Sequence, residues 1–214
     1  MSLAERIVKV IYPEGLVCDS CGREAVLMEN GFCPECALGA ESFINAPYLE
    51  GVDGYTAAYI YNDVSSRMVK RLKYGGARYM ARPLARAIVL PADWHIDAVV
   101  PVPLHYKRFR ERGFNQSELI SKHLAEINGL ELRTDLLERI RPTQQQTALS
   151  VSARKRNVKD AFEADEACKG LEILIVDDVR TTGSTLVACA EALRKAGCGR
   201  VYAATVCFAR TEGG

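Results

Sequence analysis

No apolar run in this 214-residue sequence approaches the roughly 18 residues needed to span a bilayer. The opening stretch MSLAERIVKV mixes acid and base and has neither a long apolar core nor a cleavage site, so it does not read as a secretory leader. Internal repeats and low-complexity linkers are absent, which argues against solenoids and extended tethers. Neither G-x-x-x-x-G-K-[ST] nor G-x-G-x-x-G occurs, and ordinary nucleoside-triphosphate and dinucleotide sites lose their signatures with them. These absences lead to the expectation of a soluble, cytoplasmic protein without membrane insertion. The 48% of residues that are hydrophobic suffice for one main domain plus a small extra module.

Net charge is also nearly absent, at +1, but its distribution is uneven. Residues 1–45 hold 3 bases against 7 acids, whereas residues 101–160 hold 12 bases against 7 acids. A basic middle facing an acidic N-terminal part points to an anionic ligand near 101–160. The eight cysteines divide as sharply. Cys168, Cys189, Cys198 and Cys207 stand singly among apolar neighbours and read as buried thiols of a reducing compartment. Cys18, Cys21, Cys33 and Cys36 form two C-x-x-C knuckles eleven residues apart, a spacing that closes four thiolates around a tetrahedral zinc. Gly22 and Pro34 suit the tight turns. Four thiolates leave no open position on the metal, so the site is expected to be structural, and the acidic surroundings argue against a phosphate grip there.

Between 46 and 94 the pattern gives a strand, a turn at Asn62 and Asp63, a basic helix to about Tyr74, and a second helix after Gly75 and Gly76. Arg67, Lys70, Arg71 and Lys73 are expected on a solvated helix face, with a weak nucleic-acid contact as the alternative. A strand over Ile96 to Val102 then leads into a loop dense in base. The next helix starts at Asn115 with Glu118 in a capping-box-like position, buries Ile120, Leu124 and Ile127, and ends at Gly129. Lys107, Arg108, Arg110 and Arg112 would thus lie in a loop at the C-terminal end of a strand, where open α/β sheets bind ligands. A short strand near Leu136 to Ile140 precedes a second basic stretch, RPTQQQTALSVSARKRNVKDAF, polar enough to be mobile.

The most informative stretch is ILIVDDVRTTGST, residues 173–185. Ile173 to Val176 reads as a buried strand, and Leu186, Ala190, Leu193 and Gly197 recur at helical spacing, so the segment is strand, loop, helix. Amides and hydroxyls of Thr181, Thr182, Gly183, Ser184 and Thr185 at a helix start can wrap a monophosphate. Asp177 and Asp178 carry the wrong charge for phosphate and suit sugar hydroxyls. A ribose 5-phosphate bearing a pyrophosphate satisfies both, with the basic loop opposite as counter-charge. Changing Gly183 to Val is expected to block approach to the phosphate and leave the fold intact.

These thirteen residues resemble the phosphoribosyl-pyrophosphate (PRPP) binding motif of type I phosphoribosyltransferases, a likeness that extends over about 95–210. The second basic stretch is similar to the flexible-loop region of amidophosphoribosyltransferases. With the cysteine quartet and VPVPLHYKRFRERGFNQ, the whole chain resembles the ComF family, including ComFC competence proteins. The resemblance implies an α/β fold with a mostly parallel sheet flanked by helices and a small N-terminal zinc ribbon. It divides the chain into a ribbon module with an N-terminal helix at 1–45, a connecting segment at 46–94 packed on the main domain, and a phosphoribosyltransferase-like domain at 95–214. By the same resemblance Asp177 and Asp178 bind the ribose hydroxyls and support catalysis, and residues 181–185 bind the 5-phosphate. Pro103, Leu104, His105, Lys107, Arg108, Arg110 and Arg112 bind the pyrophosphate, with Mg2+ bridging. Two functions stay open: magnesium-dependent transfer of phosphoribose to an acceptor, or a non-catalytic factor of DNA uptake that senses PRPP or holds single-stranded DNA beside other competence proteins. Nothing resembles a hood specific for a base.

Overall fold

The computed structural model describes residues 16–43, 48–74, 76–141 and 160–210. In chain order they form α1 (Pro34–Gly39), β1 (Gly54–Ile60), α2 (Asp63–Tyr74), a 3-10 turn (Arg78–Met80) leading into α3 (Ala81–Arg86), and β2 (Ala98–Pro101). There follow α4 (Tyr106–Arg112), α5 (Gln116–Asn128), β3 (Glu131–Leu132), β4 (Leu137–Arg139), β5 (Phe162–Ala164), β6 (Ile173–Arg180), α6 (Ser184–Lys195) and β7 (Val201–Phe208).

The unbroken apolar runs in β2, β6 and β7 mark strands covered on both faces, as parallel strands require. They sit inside a five-stranded, wholly parallel sheet of order β1-β7-β6-β2-β3. Alternation along β6 sends Leu174 and Val176 to one core and Ile173 and Ile175 to the other. The first core lies under α2, α3 and α5 through Met68, Leu72, Leu84, Ile120 and Leu124, and it also takes in Phe32 and three of the N-terminal cysteines. The second lies under α6 through Leu186, Ala190 and Leu193. The fold class is therefore as expected, and Cys168, Cys189, Cys198 and Cys207 are buried free thiols.

The connecting segment supplies an edge of the main sheet, since β1 runs parallel to β7 from Gly54 opposite Tyr202 to Ile60 opposite Phe208. Helix α5 is capped as expected, with Asn115 accepting from the Ser117 amide (3.0 Å) and Gly129 at φ +66° closing it. Its buried face differs from expectation. Ile127 is 50% exposed, because the buried arc runs through Ser117, Ser121, Leu124 and Ala125 and turns Ile127 outward. The antiparallel pair β4 and β5 brackets the second basic stretch, most of which lies outside the described residues, as does the expected N-terminal helix. Among the described residues no helix is long and apolar enough to cross a membrane.

Candidate functional site

Strand β6 continues through both aspartates to Arg180, so the carboxylates sit on the strand's end and not on the turn after it. The ladder to β7 continues past them, with Asp177 opposite Thr205 and Val179 opposite Cys207, whereas pairing with β2 ends at Val176. Asp177 Oδ1 accepts from Ser117 Oγ (2.8 Å) and from the Asp178 amide (2.9 Å). Asp178 is buried and ion-paired with Lys73 Nζ of α2. Burial and the adjacent Asp178 charge push the Asp177 carboxyl above the usual carboxylate range. Burial would raise Asp178 too, but the Lys73 ammonium against it holds it below that range. Lys73 thus pairs directly with one carboxylate of the two, and Asp177 is the one that more readily holds a proton.

Just beyond, the turn 181–183 delivers the chain to α6. Thr182 and Ser184 hydroxyls lie 2.8 Å apart, and Ser184 lines a small cup at the helix N-terminus with Asp177, Arg180, Thr181, Gly183 and Thr185. Gly183 takes φ +81°, a conformation only glycine adopts without strain. A Cβ there would come within 2.5 Å of Leu49 Cδ1. Gly183→Val would therefore strain the backbone and require Leu49 to move, a cost to stability that the motif alone does not reveal.

On the other side of the crevice the expected basic loop is a helix. His105 caps α4 by accepting from the Lys107 amide at Nδ1 (3.4 Å), and Gly113 at φ +75° ends it. Burial, with Arg139, Lys107 and Arg108 nearby, lowers the His105 pKa, which keeps the ring neutral and able to accept. YKRFRER between a cap and a C-terminal glycine is a sufficient single-helix signal, and the density of charge masked it. Lys107 and Arg110 are exposed, Arg108 is partly covered, and Arg112 turns inward to Gln116 Oε1 (2.9 Å) and the Tyr74 hydroxyl (3.2 Å). Pro103 and Leu104 line a cleft of about 360 Å³ together with Tyr106, Phe109, Glu118 and Arg139. The chain leaves β2 toward β3 and leaves β6 toward β7, in opposite directions along the sheet. The crevice between the two loops is therefore the topological switch point, where such sheets take ligands.

The expected solvated face of α2 is the clearest correction. Lys70 is exposed as expected, and Arg67 is exposed but bonds Ser20 Oγ (3.2 Å) and approaches Cys36 Sγ (3.6 Å); Arg71 bonds the carbonyls of Cys18 (3.2 Å) and Asp19 (3.0 Å), and Lys73 takes Asp178. Each acceptor is distant in sequence, so the residues read as a charge run. Lys73 is the site residue that sequence reasoning missed.

In the N-terminal module the four ligand atoms of Cys18, Cys21, Cys33 and Cys36 all lie within 4.8 Å of one another, with Cys21 and Cys33 sulfurs 3.9 Å apart. Tetrahedral Zn–S bonds of about 2.3 Å require sulfur separations near 3.8 Å, so the quartet fits a closed zinc site. Gly22 at φ +72° makes the first turn, and Pro34 opens α1 after the second knuckle.

Residues 76–214 match the family described as phosphoribosyl transferase domain. The DNA utilization protein YhgH of Salmonella typhi is 33% identical over 207 residues, covering 89% of each chain. Competence protein F of Haemophilus influenzae is 27% identical, over 84% of this chain and 91% of that protein. Competence protein ComFC of Bacillus subtilis is 25% identical, over 86% of this chain and 73% of that protein.

Proposed function

The chain belongs to the phosphoribosyl transferase domain family and, within it, to the competence-protein group that includes ComFC, and from that premise we propose that it binds PRPP with magnesium at the switch-point crevice. The observation that carries the reading is the pair of carboxylates fixed at the end of β6 immediately before a glycine turn and a 12-residue helix. In this reading Asp177 and Asp178 accept the ribose hydroxyls. Amides and hydroxyls of 181–185 take the 5-phosphate, where a helix N-terminus favours negative charge. Residues 103–112 face the pyrophosphate, with Lys107, Arg108 and Arg110 as counter-charge. Asp177, which has no cation bonded to it among the described residues, suits a hard divalent cation arriving with the pyrophosphate, and magnesium would supply charge neutralisation on the leaving group. When an acceptor nucleophile bonds to the anomeric carbon and the bond to pyrophosphate breaks, the two carboxylates stabilise the positive charge developing on the ribose.

A second reading draws on the relatives' names, which speak of DNA utilization and competence. The protein would then act in the cytoplasm as a non-catalytic factor of DNA uptake, sensing PRPP or holding single-stranded DNA through basic segments beside other competence proteins. Calorimetry with PRPP and magnesium tests what the two readings share. Asp177→Asn and Asp178→Asn are each expected to weaken binding by about 1.5–3 kcal/mol, the value of a charge-assisted hydrogen bond. No heat with the unmodified protein, or equal affinity in all three, sinks the ligand assignment. Pyrophosphate release across a panel of acceptors then divides enzyme from binding factor.

A further inference from the structure

Helix α2 touches both functional regions. Arg67 and Arg71 stand four residues apart and project from one face. That face grips the first cysteine knuckle and the second, through Ser20 Oγ, the Cys18 and Asp19 carbonyls and the Cys36 sulfur. In return Ser20 Oγ donates to the Val64 carbonyl in the helix's first turn (2.9 Å). Lys73 lies six residues beyond Arg67, about 120° around the helix, and meets Asp178. The next residue, Tyr74, accepts from Arg112 of α4 (3.2 Å). The last two residues of α2 therefore contact both walls of the crevice, while its arginines hold the cysteine module.

We propose that α2 is a strut through which the metal-bound cysteine cluster sets the position of Lys73, and that Lys73 is a positioning residue of the ligand site. The module around the quartet is too short to have a core of its own, so its fold depends on the metal. When the quartet is not closed, the knuckle carbonyls and the Cys36 sulfur no longer present fixed acceptors to Arg67 and Arg71. A 12-residue helix is marginal by itself and keeps its position by what it packs on. Released on one face, α2 lets Lys73 withdraw from Asp178, and a buried carboxylate without its cation no longer holds a fixed orientation toward ribose hydroxyls. The two sites are thereby coupled in one direction of sign: a closed cysteine cluster favours ligand binding.

The test has two arms, and only the affinity arm rests on the ligand reading above. In the first, hydrogen exchange is followed after zinc is withdrawn with a chelator and the protein is returned to magnesium buffer. Amides at 70–74 and at 177–179 are expected to exchange faster while those at 201–206 in β7 stay protected. The double variant Arg67→Ala, Arg71→Ala, with zinc bound, is expected to reproduce that pattern. Unchanged exchange at 177–179 in both cases overturns the strut. In the second arm, Lys73→Met is expected to weaken PRPP binding roughly tenfold, and Lys73→Arg to retain most of the affinity. Zinc withdrawal is expected to weaken the unmodified protein by a similar factor and to add little to Lys73→Met. Two losses that multiply in full overturn the coupling, because independent sites combine additively in free energy. If the unmodified protein gives no heat with PRPP, the ligand reading fails and the exchange arm alone decides the strut.

Discussion

Helices α2 and α4 carry the same kind of sequence, four cations in six or seven residues, and use it in opposite ways. In α2 three cations are consumed by internal acceptors: a sulfur and a hydroxyl for Arg67, two carbonyls for Arg71 and a carboxylate for Lys73. In α4 no residue is fully buried, Lys107 and Arg110 face solvent, and Arg112 is tied to its neighbours by hydrogen bonds to Gln116 and Tyr74. Charge in a sequence becomes a surface potential only where the fold supplies no acceptor. A buried cation stabilises what it touches, whereas an exposed one contributes little to stability and remains available to an anionic partner.

Substitution at Lys73 and Arg110 should separate these roles most widely. Lys73→Met leaves Asp178 buried and unpaired, and urea unfolding is expected to show a loss of about 3 kcal/mol, while Arg110→Ala stays within about 0.5 kcal/mol. Equal effects would erase the distinction between the helices.

A smaller effect of opposite sign is expected at Asp177. Its carboxyl is pushed up to about 7, so its contribution to stability is fully present below the unfolded carboxylate pKa of about 4 and is lost as pH rises through the folded value. Asp177→Asn keeps an oxygen for Ser117 and removes the charge. Thermal unfolding at pH 8 should show a gain of about 1 kcal/mol, fading toward nothing as pH falls below 4. Asp178→Asn should destabilise instead, since Lys73 loses its partner. A stabilised protein that has lost its ligand would mark Asp177 as a residue kept for binding.

The smallest effect concerns α4. Replacing Arg108, Arg110 and Arg112 together by Ala is expected to weaken single-stranded DNA binding and to reduce the slope of log affinity against log salt by about 0.7 for each phosphate contact removed. A slope unchanged by the triple substitution would put DNA elsewhere, and no binding at low salt would remove it as a direct ligand.

How far the sequence could be read follows the same division. The cysteine knuckles, the strand-to-helix passage at 173–185 and the Asn115 and Gly129 caps depend on residues close in the chain, and each was legible. Lys73 was not, because its partner Asp178 lies more than a hundred residues away and nothing local distinguishes it from Lys70. Leu49 over Gly183 is a similar case, since a distant side chain closes a position that the motif leaves open. The α4 helix is hidden by composition: seven residues dense in base carry no apolar periodicity, and the His105 cap is their helix signal.

Strand β1 has a consequence for synthesis. It is made before every other strand of the sheet, but its ladder partner β7 is the last of them to be made, with Gly54 waiting for Tyr202. Until then the Gly54–Ile60 edge has no parallel neighbour, and its mostly apolar side chains are exposed to other chains. Pairings of such long sequence separation form slowly, and a half-made sheet is open to mispairing. The cysteine module is complete much earlier, and its contacts with β1, Phe43 to Ala58 and Ile60 to Glu41, give that strand a partner while the rest is still being translated. The cysteine module thus acts as a companion to the strand that must wait longest.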